Sequence, residues 1–220
     1  MKAMILAAGR GERMRPLTDT TAKALLAPLG KPLIEYQIEA LVRAGMRDIV
    51  INLAWLGEQI RSHVGQGEQY GANIVYSDEG HAALETGGGI LKALPLLGEG
   101  PFWVVNADVY TEFEFSTPRL ADGVLAHLVM VPNPDHNGSG DFALVGGRIV
   151  PDETPAFTFS GLSVMRPELL RHAGTGIFPL APVLTAAALK DQVTGELFTG
   201  TWLDVGTLQR YRQLEKLPDQ

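Results

Sequence analysis

Arg13, Arg15 and Lys23 follow a pair of glycines, Gly9 and Gly11, which themselves follow the apolar run 4–8. Glycines let backbone N–H groups approach phosphate oxygens with no Cβ in the way, and fixed positive charges neutralise the charge that grows on those oxygens during phosphoryl or nucleotidyl transfer. A strand that empties into such a loop is equipped for a triphosphate. Without that chemistry it is a glycine-rich turn with solvated arginines. Two commoner phosphate motifs are excluded: G-x-G-x-x-G needs glycine where Met14 stands, and a P-loop needs Gly-Lys followed by Ser or Thr.

A second group is acidic. Asp108 ends Val105-Asn106-Ala107-Asp108, and Asp204 ends Trp202-Leu203-Asp204, each behind an apolar or aromatic stretch. Magnesium takes a few hard oxygen ligands and completes its octahedron with phosphates, so two strand-end aspartates facing the glycine loop suffice for it. A lone strand-end Asp is as readily a cap or turn residue. Residues 79–89 read Glu-Gly-His-Ala-Ala-Leu-Glu-Thr-Gly-Gly-Gly. Uracil shows an N3–H donor between two carbonyl acceptors, so the Glu79 carboxylate and a backbone N–H near Glu85 would complement it. Guanine also offers donors to a carboxylate, and three glycines equally suit a tight helix start with a close backbone approach. His81 reads as a loop residue.

The string Leu6-Ala7-Ala8-Gly9-x-Gly11-x-Arg13-x-x-Pro16-Leu17-Thr18, with Lys23 and then Gly30-Lys31-Pro32-Leu33-Ile34, resembles the signature of sugar-1-phosphate nucleotidylyltransferases. Leu84-Glu85-Thr86-Gly87-Gly88-Gly89-Ile90 is similar to the segment of those uridylyltransferases that act on muramic acid 1-phosphate, more than to the L-G-T-A-G of wider relatives. The resemblance implies a nucleotide-diphospho-sugar transferase fold: α/β and Rossmann-like, a mixed, mostly parallel sheet flanked by helices, with a smaller sugar-binding lobe. It implies a nucleotide site of Leu6, Ala8, Gly9, Gly11, Arg13, Lys23, Glu79, Glu85, Gly87 and Asn106, with Arg13, Lys23 and Asp108 as its catalytic residues. In it Arg13 grips the departing β- and γ-phosphates and Lys23 neutralises the α-phosphate.

By the same resemblance Asp108 and Asp204 together hold a catalytic Mg²⁺, and Asp141, Gly161 and Glu196 face the sugar phosphate. Lys190 alone among lysines stands near the family's sugar-phosphate position, so Arg15, Lys23 or the metal would share that contact. The implied substrates are an NTP, UTP by the glycine segment, and a sugar 1-phosphate, N-acetylmuramic acid 1-phosphate, in cell-wall recycling. Two positions depart from the pattern: Ala22-Lys23-Ala24 replaces Pro-Lys-Pro and leaves the lysine loop freer, and Ala107 stands where many relatives carry glycine. Guanylyl, thymidylyl or cytidylyl transfer to another sugar or alcohol phosphate stays open, as does an inert nucleotide-sugar sensor; Met14 argues against a dehydrogenase.

The elements must bring these groups together. Residues 2–7 read as a buried strand, and Pro32 at N1 opens a helix through Ile34, Ile38, Leu41 and Val42 that Gly45 closes at C′. Strands follow at 48–53 and 74–76, helices at 56–64 and 86–94, the latter stopped by Pro95, and 102–105 is apolar on consecutive residues like a strand covered on both faces. This alternation predicts a doubly wound half, with ligands beyond the carboxyl ends of its strands. Beyond about residue 112 the pattern loosens into strands at 125–131, 142–145, 148–150 and 157–165 and helices at 182–189 and 208–217, the last packing back on the first half. One domain over 1–220 is expected, with a nucleotide half at about 1–112 and a sugar-phosphate half at about 113–220.

Composition bounds the partners. A chain of 220 residues, 45% hydrophobic, has material for a sizeable core. It lacks cysteine, so any metal sits on oxygen or imidazole ligands. A net charge of −7 with no block of five like charges argues against nucleic-acid binding. The first apolar stretch is short for a signal segment and no run reaches the length of a membrane span, so a cytoplasmic protein with small-molecule partners is expected, as a monomer or small homo-oligomer.

Overall fold

Buried strands send alternate residues to opposite faces, and here each face has its own helices. β1 (Lys2–Leu6) puts Ala3 and Ile5 on one side and Met4 on the other; β2 (Asp48–Leu53) divides Ile49, Ile51 and Leu53 from Val50 in the same way. The computed structural model describes residues 1–80, 82–151, 154, 156–171 and 173–216. In it β3 (Asn73–Asp78), β2, β1 and β4 (Phe102–Asn106) lie side by side, all parallel. The chain turns one way from β1 to reach β2 and the other way to reach β4, so the crevice beyond the carboxyl ends of β1 and β4 is the topological switch point.

After β4 come β5 (Val109–Thr111), β6 (Ala126–Val131), β7 (Phe142–Val145), β8 (Arg148–Val150), β9 (Ala156–Met165), β10 (Val193–Leu197) and β11 (Trp202–Asp204). The main sheet continues from β4 as β9, β6, β10, β8 and β7, with β9 antiparallel to β4 and β6, and β10 parallel to β6. β7 pairs back onto the start of β9, opposing Phe142 to Phe157. β5 and β11 form a separate antiparallel pair.

α1 (Leu17–Thr20) belongs to the glycine loop. α2 (Leu33–Arg43) and α3 (Gly57–Val64) cover one face with Ile34, Ile38, Leu41, Ile60 and Val64. α4 (Glu85–Leu97), α5 (Glu168–Arg171) and α6 (Ala181–Ala188) cover the other with Ile90, Ala93, Leu97, Leu169, Leu170 and Leu184. α7 (Leu208–Leu214) docks Leu214 beside Met14, Leu26 and Leu33, which returns the C-terminal helix to the first half.

Several boundaries differ from expectation for local reasons. Pro32 is the N-cap of α2, with extended ψ of 138, rather than its first turn residue. α2 ends with Gly45 at φ +83, where Gly45 N–H donates to Val42 and Met46 N–H to Leu41, a Schellman closure. Pro95 lies inside α4: so near the end it forgoes a single hydrogen bond, and the helix runs on until Gly98, whose N–H donates to the Leu94 carbonyl at 2.9 Å. β3 is twice the expected length because each of its six residues pairs in register with β2. β10 escapes sequence reading because Gly195 and Glu196, both poor strand formers, interrupt it after Val193 and Thr194, and β6 and β8 hold it in place. His81 and Leu217 lie outside the described residues.

Candidate active site

The glycine loop is built around one residue in the left-handed region. Gly11 has φ +69, and its carbonyl accepts from Met14 N–H and from Thr18 Oγ1, both at 2.8 Å. A Cβ on Gly11 would lie 2.9 Å from the Thr18 methyl and 3.2 Å from Lys23 Cδ, so any larger residue would push the lysine away. Met14, fully buried among Leu26, Leu33 and Val205, anchors the short turn that leaves Arg13 exposed. Gly9 has open space where a side chain would be. Leu6, Ala8, Gly9, Gly11, Lys23, Asn106 and Asp108 all line one cleft of about 210 Å³ at the switch point, together with Asn52, Glu79 and Glu85.

The two aspartates approach each other at the edge of that cleft, Asp108 lining it and Asp204, like Arg13, lying outside its lining. β5 and β11 pair so that Asp204 opposes Val109, and Val205 N–H donates to the Asp108 carbonyl at 2.7 Å. Lys23 Nζ ion-pairs with Asp108 Oδ2 and is only 14% exposed. Arg210 Nη2 lies 2.9 Å from Asp204 Oδ2, and His136 Nε2 lies 3.2 Å from Asp204 Oδ1. Burial raises the Asp204 carboxyl above its ordinary pKa and the Asp108 charge adds to this, against the opposing pull of Arg210, His136 and Lys23. Asp204 Oδ1 is buried without a well-formed hydrogen bond. Two hard carboxylates on neighbouring strand ends, one with a buried oxygen that no well-formed hydrogen bond satisfies, fit a magnesium ion. No cluster of three or more His, Asp or Glu among the described residues forms a full cage, so substrate oxygens would complete the shell.

Other expected residues have different duties. Glu79 is 8% exposed: its Oε1 accepts from Asn52 Nδ2 and its Oε2 from Leu84 N–H, each at 2.6 Å. Asn52 Oδ1 in turn accepts from Ala7 N–H at 2.7 Å. Glu79 therefore ties the ends of β1, β2 and β3 to the start of α4, and as part of the cleft wall it keeps a further acceptor site on each oxygen. Glu85 opens α4 on the cleft wall at φ +57, an uncommon conformation for a residue with a side chain. Gly87 is turned away from the cleft: a Cβ there would run into the Phe178 ring, on Gly88 into the Gly176 carbonyl, and on Gly89 into Glu79. The glycine triplet thus serves a close backbone approach.

In the second half, Gly161 sits at φ +81 in β9 and acts through the room it leaves, since a Cβ would overlap the Asn106 amide. Asp141 is engaged by its own lobe, its Oδ2 accepting from Phe159 N–H at 2.8 Å and its Oδ1 from Asn137 Nδ2 at 3.2 Å. Glu196, exposed on β10, stands 3.4 Å from His127 and does not line the cleft. Arg15 pairs with Asp19 at 3.1 Å on the surface, and Lys190 lines a separate groove beside Gln192. Sequence reading missed Asn52, His136 and Arg210. Asn52 alone left a signal, as a polar residue near the carboxyl end of an apolar strand.

The sequence profile of the nucleotidyl transferase family matches residues 2–121. The chain is 50% identical to an N-acetylmuramate alpha-1-phosphate uridylyltransferase of Neisseria meningitidis, covering 99% of this chain and 98% of the relative. It is 34% identical to another protein of that name from Caulobacter vibrioides, over 94% and 92% of the two chains. A Bacillus anthracis structure assigned as a glucose-1-phosphate thymidylyltransferase superposes with a TM-score of 0.84 at 19% identity, covering 100% of this chain and 97% of the other, and shows the shared fold.

Proposed function

The chain belongs to the nucleotidyl transferase family, and from that premise we propose that it transfers the uridylyl group of UTP to N-acetylmuramic acid 1-phosphate, giving a UDP-sugar and pyrophosphate. Nucleotidyl transfer to a sugar 1-phosphate is the activity of the family branch to which its full-length likeness assigns it. The observation that carries the chemistry is the pairing of β5 with β11, which brings Asp204 opposite Val109 and so beside Asp108, at the edge of a cleft that Gly9, Gly11, Lys23 and Asp108 line.

The glycine loop cradles the triphosphate through its backbone N–H groups, and open space at Gly9 lets phosphate oxygens come close. Arg13 pairs with no carboxylate among the described residues, which leaves its guanidinium for the pyrophosphate that departs. Lys23 lines the cleft and neutralises the α-phosphate as the sugar phosphate oxygen attacks in line. That oxygen is already ionised, so neither a general base nor a covalent intermediate is needed. Asp108 and Asp204 are the residues that would hold Mg²⁺, which when bound supplies charge neutralisation to the reacting phosphates. The reading also takes the protein to be cytoplasmic and to serve cell-wall recycling; no helix among the described residues is long and apolar enough to cross a membrane.

The test is a turnover screen of the four NTPs against several sugar 1-phosphates, followed by pyrophosphate release. UTP with N-acetylmuramic acid 1-phosphate should be the best pair and should require a divalent cation. Poor turnover of UTP beside rapid use of GTP would overturn the base assignment, and binding without any pyrophosphate release would establish a sensor in place of an enzyme.

A further inference from the structure

Arg210 takes no part in that chemistry, yet its guanidinium lies inside the protein against the acidic pair. It is 7% exposed, and its Nη2 is 2.9 Å from Asp204 Oδ2. Its Nε and Nη2 are buried without well-formed hydrogen bonds, so Asp204 is the one group that holds this charge among the described residues. A buried guanidinium is costly unless something needs it, because an apolar side chain of similar size would fill the space without a desolvation penalty.

We propose that Arg210 is a positioning residue for the metal: it grips Oδ2 of Asp204 from the inner side, so that Oδ1, which His136 Nε2 approaches at 3.2 Å without a well-formed hydrogen bond, is the oxygen presented to the cation. The inference rests on the reading of Asp204 as a ligand. Three features of the chain build this arrangement. Thr207 caps α7 by accepting from Arg210 N–H at 3.3 Å, which fixes the backbone from which the side chain turns back. Leu214, in the core with Met14 and Val205, keeps α7 from sliding. Gly206 supplies the space: a Cβ there would overlap Arg210 Nη2 and come within 3.3 Å of both Asp204 Oδ2 and Arg13 Nη2. The segment Asp204-Val205-Gly206-Thr207 thus sets an oxygen and shields its far side in one turn. A partner of this kind acts on metal affinity through the geometry of the ligand it orients.

Mn²⁺ binding to the full-length protein in the presence of UTP, followed by the loss of the free Mn²⁺ spin signal, tests this. Arg210→Met and Gly206→Ala should each weaken Mn²⁺ binding by about tenfold or more, with Arg210→Lys between them and the wild type. UTP binding in EDTA should hardly change, which a merely structural role would not allow. Wild-type Mn²⁺ affinity in Arg210→Met, or equal losses with and without metal, would overturn the proposal. Should Arg210→Met fail to fold, Gly206→Ala and Arg210→Lys decide the matter by the same readout. Absence of UTP-dependent Mn²⁺ binding in the wild type would instead refute the metal reading itself, and the inference with it.

Discussion

Arg13 and Lys23 carry the same charge in different company. Arg13 is exposed and without a carboxylate partner among the described residues, whereas Lys23 is largely covered and paired with Asp108. Arg13→Ala should therefore lower turnover by about a hundredfold, the usual loss when one preorganised charge partner of the transition state is removed, with an unchanged melting temperature. Lys23→Ala should lose at least as much activity and some stability too, because Asp108 is left unpaired. Steady-state kinetics beside thermal unfolding separates the two. Glu79 answers to a different measurement. Its oxygens face two donors, Asn52 Nδ2 and Leu84 N–H, so Glu79→Gln would set an amide N–H₂ against a donor in a buried site. That should cost about 1–3 kcal/mol in denaturant unfolding. Residue types and spacing gave away Gly11, Lys23, Asp108 and Asp204, since charge, glycine and strand end are all written in the chain. His136 and Arg210 were hidden because the direction of a side chain is decided by the packing around it, and nothing local in 207–210 tells that Arg210 folds back under Gly206.

At the level of elements, α4 sets two effects against each other. Alanine in place of a helical glycine ordinarily gains about 1 kcal/mol of helix propensity. At Gly88, however, the added methyl would meet the Gly176 carbonyl, a backbone atom that cannot swing aside, and overpacking of this kind costs about 1–3 kcal/mol. Gly88→Ala should accordingly lower the melting temperature despite the better propensity; a rise would show that the 174–178 segment yields easily. The helix starts and most strand spans of the first half were readable, because local apolar periodicity and consecutive βα units coincide there. The end of α4 was not, since a proline in a last turn forfeits too little to halt a helix that packs Leu97 into the core. In the second half β6 to β9 were found but β10 was not: it lies between β6 and β8, which precede it by tens of residues, and only that placement makes a strand of Thr194-Gly195-Glu196.

Across the whole molecule, β9 joins what the sequence divides into halves. Its C-terminal part pairs with β4, which carries Asn106 towards the cleft, and its N-terminal part pairs with β7, which closes the second half. The acidic pair repeats this on a smaller scale, for Asp108 follows β4 while Asp204 comes from the far end of the chain. An ion bound by both would therefore tie distant parts of the chain together, and binding should register as global stability. Magnesium with UTP at a hundred times its dissociation constant contributes about 2.7 kcal/mol to a site present only in the folded protein. For a chain of this size that raises the melting temperature by roughly 5–10 °C. Calorimetry should show one transition that moves upward as a unit, because a sheet shared by both halves leaves neither with a complete core of its own. EDTA should abolish most of the shift, and so should Asp108→Asn or Asp204→Asn. Two transitions, of which magnesium and UTP move only one, would mean that the nucleotide half folds and binds alone and that Asp204 adds nothing to the ion.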